Sequence, residues 1–317
     1  MTMQTECGEW AVESFSECAA WETTQTASCT AWDTACCTWW PCSMACSALT
    51  MLCRTWVWVS DLVCSLWTTV WTLVCILWEI VTILLTPISW LLKLIESIPI
   101  FGRALNQLRN ILTSIFWRVV GLGDTILGLA GFQPLKKLRL CIIILRDENG
   151  VPVTTEAALA PAIANAEAIF RSAANTHVIV ENIVTAPDPS HAALLDVRCN
   201  AGSWLDDFGV VGVTYNWLAT TLCTGATTSK LTGYASTITV FCVRDVAGAQ
   251  GCTMGLATGY ITLEGANSTC LAHEIGHMVG LWHCCGGLNL ANGACGGFLL
   301  NWWQEAIVRN SKFITYV

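Results

Sequence analysis

Ten of the nineteen cysteines and ten of the seventeen tryptophans in this 317-residue chain fall before residue 80. That imbalance separates a first region, where cysteine and tryptophan set the pattern, from a later one of ordinary texture. An internal period governs the first region. Cys7, Cys18 and Cys29 lie eleven apart, each followed three residues later by Trp10, Trp21 and Trp32. After a two-residue slip Cys42, Cys53, Cys64 and Cys75 resume the period, with Trp56, Trp67 and Trp78 at the same offset and Ala45 as the break. Eleven residues make three helical turns of about 3.67 residues each, so a continuous helix would carry the cysteines as a nearly straight stripe with the tryptophans one turn on. Two readings stand side by side: a self-associating helical module that makes homo-oligomers through the Cys/Trp repeats, and a low-complexity product of tandem duplication.

Residues 1–41 hold the polar repeats and residues 42–100 an apolar, Cys/Trp-rich continuation expected to be mostly α-helical. Between Leu62 and Leu92 the only charge is Glu79, and the stretch exceeds the ~20 residues that a membrane span needs. Against a simple span, Trp67, Trp71, Trp78 and Trp90 are spread through it rather than gathered at two interfaces, and Pro87 interrupts a helix. A span, a re-entrant hairpin and a buried assembly helix are all compatible, with membrane association through residues 62–92 the expectation. Residues 101–135 read as an amphipathic connector: Leu105, Leu108, Leu112, Ile115 and Phe116 recur at helical spacing among Arg103, Arg109 and Arg118. Such a helix suits a membrane surface, or packing against its own neighbour.

A formal net charge of −8, with no basic cluster longer than Lys136, Lys137 and Arg139, argues against nucleic acid as a partner. The first residues lack a basic segment followed by an apolar core, so no signal peptide is recognisable there. The cysteine content favours an oxidising compartment, whereas the basic residues that follow the apolar run point the C-terminal region toward the cytoplasm. The expected location is membrane-associated or extracellular.

From residue 136 to 317 the pattern is that of one α/β domain with a mixed sheet. LRLCIIILRD (138–147) reads as a buried strand, HVIVENIVT (177–185) as a second and STITVFCVRDV (236–246) as a third. Residues 156–174 are alanine-rich and helical in period, with Pro161 expected in the first turn. GYITLEG (259–265) is a short alternating strand.

The segment Leu271–His283 reads LAHEIGHMVGLWH. His273 and His277 are four apart, so a helix projects both from one face, where two neutral imidazoles can ligate one Zn²⁺. Glu274, beside the first ligand, can take a proton from zinc-activated water. Gly280 ends the helix in a conformation that glycine tolerates, which lets His283 return as a third ligand. Three of the chain's five histidines sit in this window; His177 and His191 have no expected role.

This HExxHxxGxxH pattern resembles that of the metzincin metalloproteases. The resemblance implies a zinc endopeptidase acting on protein or peptide substrates, with a metzincin-like α/β (α+β) catalytic domain, an active-site helix, His273, His277 and His283 as Zn²⁺ ligands and Glu274 as general base. It also implies that the strand before the motif helix, GYITLEG, is an edge along which substrate pairs. The methionine turn of that family has no counterpart by residue type: LNLANGACGG (288–297) has the location, with Ala291 where methionine is expected. The alternative function is therefore a catalytically weak or inactive zinc-binding domain serving a self-assembling or membrane-associated structural protein. Cysteine placement suggests Cys252–Cys270 and Cys199–Cys223 as disulfides, and Cys295 as partner to Cys284 or Cys285.

Overall fold

The computed structural model describes residues 101–129, 132–199, 206–223, 233–266 and 269–316. The C-x-x-W repeats, the helical reading of residues 42–100 and the candidate membrane segment 62–92 all lie outside the described residues.

The described part is a mixed α/β fold around a mixed sheet. Its central strand, β1 (Lys136–Ile144), is buried along its whole length, which is why its second half, Leu140–Ile144, is a continuous apolar run rather than an alternation. Strand β2 (Thr176–Thr185) lies parallel on one side of β1 and β4 (Ile238–Val243) parallel on the other. Strand β7 (Tyr260–Glu264) continues the sheet parallel to β4, and β6 (Gly251–Thr253) closes it antiparallel to β7. The order is β2-β1-β4-β7-β6, with the two-residue β8 (Ile314–Thr315) antiparallel to β1.

The two-residue period of β1 sorts its side chains between two cores. Leu138, Leu140, Ile142 and Ile144 enter one cluster with helix α3 (Glu156–Ala174) and helix α6 (Cys270–Met278). Cys141, Ile143 and Leu145 enter the other, with Tyr215 and Leu218 of helix α5 (Val210–Leu222). Helix α3 starts where Thr155 accepts from the Ala158 N–H at 3.2 Å, and it ends at Asn175, which takes the left-handed conformation. Pro161 falls in the second turn rather than the first. Its missing N–H leaves the Ala157 carbonyl without an intrahelical donor, and both residues are exposed, so that carbonyl can turn to water.

Other expectations need correction. The third strand is two: β4 stops at Val243, and Asp245–Ala247 (β5) pairs instead with Asp196–Arg198 (β3) in a small sheet of its own. The break is at Arg244, whose backbone N–H donates to Leu195 O and whose side chain pairs with Asp196 and Glu148. Strand β7 is not an edge, since β6 covers it; three residues beginning with glycine leave no period to detect. Among the described residues the disulfides are Cys141–Cys223, Cys199–Cys252 and Cys270–Cys295. Cys252 and Cys270 cannot pair because they belong to cores on opposite faces of the sheet. Cys223 is taken by Cys141 on its own face, and Cys295 by Cys270, so Cys284 and Cys285 stay free thiols.

Residues 101–129 form helix α1 (Phe101–Val120) and helix α2 (Leu122–Leu129), and α1 lays a polar stripe on the domain. Arg103 Nη2 and Gln107 Nε2 each donate to the Asp207 carboxylate at 2.7 Å, and Tyr260 Oη donates to it at the same distance. Lys312 Nζ reaches Asn110 O and Thr113 Oγ1 at 3.1 Å each. Arg118 Nη2 donates to Val279 O at 2.6 Å. Arg103 and Arg118 thus face inward, opposite to the orientation a basic surface helix would need. With Arg103 only 2% exposed and Asp207 fully buried, Arg103→Met leaves a buried carboxylate without its cation. It is expected to lower the unfolding free energy by about 3 kcal/mol, read as a shifted urea midpoint of the full chain at unchanged m-value.

Candidate metal centre

Helix α6 carries His273, Glu274 and His277, and it is buried over most of its length between the sheet and α3. Its end follows from Gly280, whose φ of 103° is open to glycine and strained for other residues. A β-carbon there would also strike Arg118 Nη2 at 2.0 Å. The Leu281 N–H closes the helix end on Gly276 O at 2.9 Å, and the chain reverses so that His283 comes back beside the helix.

The three imidazoles meet through one nitrogen each. Nε2 of His277 lies 2.9 Å from Nε2 of His273 and 3.0 Å from that of His283, and the third separation is 3.2 Å. The other nitrogens decide the tautomers. His273 Nδ1 sits 2.7 Å from Leu290 O, and His277 Nδ1 sits 2.8 Å from Leu281 O. A backbone carbonyl offers no proton, so each Nδ1 is the donor and each neutral ring turns a lone pair at Nε2 toward the others. Burial lowers the pKa of both rings, that of His277 to about 4, against an opposing pull from the carbonyl bonds. Converging lone pairs without a proton between them repel. Two nitrogens at 2.0–2.1 Å from one tetrahedral metal ion stand about 3.3 Å apart, close to the spacing found, so these residues fit a metal ion and can hold one.

Glu274 is buried, and among the described residues its carboxylate has no hydrogen-bond partner. Burial pushes its pKa up to about 8; a cation at the histidines acts in the opposite direction. The carboxylate lies against the outer strand. A β-carbon on Gly251 of β6 would be 2.8 Å from Glu274 Cγ and 3.2 Å from Oε1, so the glycine is what gives the carboxylate room.

A supporting shell escaped the sequence reading. The turn Asn289–Asn292, closed by Asn292 N–H to Asn289 O at 3.0 Å, presents Leu290 O to His273. Ala291 is buried in that turn, and its N–H donates to Asn289 Oδ1. The Asn289 amide pairs twice with that of fully buried Gln304, at 2.7 and 3.0 Å. Gln304 also accepts from the Asn301 N–H at 2.9 Å, at the start of helix α7 (Trp302–Arg309), and donates to Cys284 Sγ next to His283. One amide therefore ties the turn, the third histidine's neighbour and a helix start together. The spacing Asn301-x-x-Gln304 is a capping-box signal that could have revealed its place in the sequence, though not its reach to the turn. His177 pairs with Glu167 at 2.7 Å, away from the site.

The full chain, stripped with a chelator and titrated with a divalent ion, is expected to bind one ion per chain at the triad, with His277→Ala abolishing that binding. Gln304→Leu should keep the histidines but weaken binding by roughly 10–100-fold; an unchanged affinity by calorimetry would remove the amide from the supporting shell. Comparison with known proteins finds no matching family model and no curated relative, so the chemistry of the site is what speaks for its function.

Proposed function

We propose that residues 136–317 form a zinc-dependent endopeptidase of metzincin type, with His273, His277 and His283 holding Zn²⁺ and Glu274 as general base. The observation that carries this is the placement of a buried, unpartnered carboxylate one residue from a converging three-histidine tripod and against the outer strand of the sheet. A structural metal site is normally closed by a fourth protein ligand, and it has no use for a carboxylate kept uncommitted beside it.

A bound zinc ion would acidify water and polarise a carbonyl. The chain's own residues supply the rest. Leu290 O and Leu281 O hold two imidazoles in the tautomer that presents Nε2. The Glu274 carboxylate accepts a proton from the attacking water and returns it to the leaving amine. Strand β6, paired among the described residues with β7 alone, offers its other edge to an extended peptide, so the pairing strand is β6 and not the GYITLEG strand. Three disulfides among the described residues support an oxidising compartment, in keeping with an extracellular or membrane-associated enzyme. Membrane association through residues 62–92 and self-association through the repeats remain part of the proposal.

One observation favours a second reading. In the metzincin pattern a methionine lies beneath the site; here the turn that anchors His273 carries Ala291, with less volume under the ligands. A zinc-binding domain with weak or lost turnover, serving a self-assembling or membrane-associated structural protein, follows from that. Cleavage of an unstructured protein by the full chain separates the two. With the peptidase, Glu274→Gln lowers kcat/KM by about 10²–10⁴-fold at unchanged zinc content. If wild type and variant are equally inert while both hold zinc, the structural reading stands.

A further inference from the structure

Helix α1 is docked inside out. Arg103, Gln107, Asn110, Ser114 and Arg118 recur at helical spacing, and the contacts described above turn that stripe into the domain. The opposite face carries Leu108, Leu112, Ile115, Phe116 and Val119, which are 52–61% exposed, and α2 extends it with Ile126 at 67%. Every exposed side chain from 102 to 128 is apolar. A helix on a water-facing domain has the reverse arrangement, and a contiguous apolar face of this length marks an interaction site.

We infer that the α1–α2 face lies on the hydrocarbon boundary of a lipid bilayer, as an in-plane anchor for the metal-site domain. Three observations favour lipid over protein. The exposed face offers no donor, acceptor or charge, whereas protein interfaces carry about one hydrogen bond per 100–200 Å² and a polar rim. The chain leading into it ends an uncharged apolar run, Ile80–Leu92, only nine residues before Phe101, a reach of about 30 Å when extended; a membrane engaged by that run lies within reach of α1. At the rim, Trp302 is 69% exposed beside Thr125 and Gly128 of α2, and tryptophan collects at the membrane–water boundary. Among the described residues no single helix is long and apolar enough to cross a membrane, while α1 and α2 together, bent by 49°, meet the length and composition for it. The polar stripe is committed to the domain, so the pair lies on the bilayer rather than through it. Arg118, bonded to Val279 O, then brings the end of the metal-binding helix to the membrane surface. The inference does not depend on peptidase activity.

The test uses the full chain bound to phosphatidylcholine vesicles that carry a diazirine in the acyl chain, with adducts mapped after illumination. Adducts at Leu112, Ile115, Phe116 and Val119 are expected. The double variant Leu112→Gln with Phe116→Gln, exposed positions outside the docked stripe, is expected to keep bound metal and to lose labelling over the remainder of 101–129 by at least tenfold. Vesicle-bound protein labelled elsewhere but not in 101–129 overturns the inference. So does crosslinking of that face to a second copy or to residues 62–92, which would make protein its cover. A chain that does not bind the vesicles overturns it as well.

Discussion

Three imidazoles bring their Nε2 atoms to within 2.9–3.2 Å of one another, a spacing that suits a shared cation. Most of the described fold can be understood as the means of forcing that arrangement. The Nδ1 atoms of His273 and His277 are committed to backbone carbonyls, which leaves their Nε2 lone pairs turned toward the common point. The carbonyl of Leu281 comes from the helix end, so the break at Gly280 serves both to aim His277 and to return His283. The carbonyl of Leu290 comes from a turn held by Gln304. Behind all of these stands a sheet whose central strand is buried on both faces, a platform too tightly packed to let α6 shift.

The polar interior of α1 follows a different logic. A fully buried aspartate accepts from an arginine and a glutamine of α1 and from a tyrosine of β7. Such a network is weak as a source of net stability but costly to break, because each member would leave the others unsatisfied. It specifies which face of α1 meets the domain more firmly than apolar contact could. The hydrophobic side chains of the helix are left outside as a consequence.

The motif was the most legible part of the chain. His273, Glu274, His277, Gly280 and His283 lie within eleven residues, and the geometry that joins them is local. The strand β1 and helix α3 were legible because length and period mark them. What escaped depends on contacts far apart in sequence: Asn289 with Gln304, Arg103 with Asp207, and the three disulfides, whose partners are chosen by which face of the sheet a cysteine occupies. Strand β6 is invisible for another reason, being too short to carry a pattern. The amphipathicity of α1 was evident, but a helical wheel has no sign that says which face is inside; Asp207, a hundred residues away, supplies it.

The Cys270–Cys295 bridge closes a ring of chain that contains His273, Glu274, His277 and His283. Unfolding that leaves the bridge intact cannot disperse these residues, since a loop closed over a sequence separation of 25 keeps its members at high local concentration. The unfolded chain would therefore keep part of any affinity these residues have for a metal ion, and an ion bound there would stabilise the folded state by less than its binding constant alone would give. In return, such an ion would not have to be lost on heating, and refolding would begin from a loop that already holds it. Reduction of this one bond would turn a recoverable collapse into one that releases the metal.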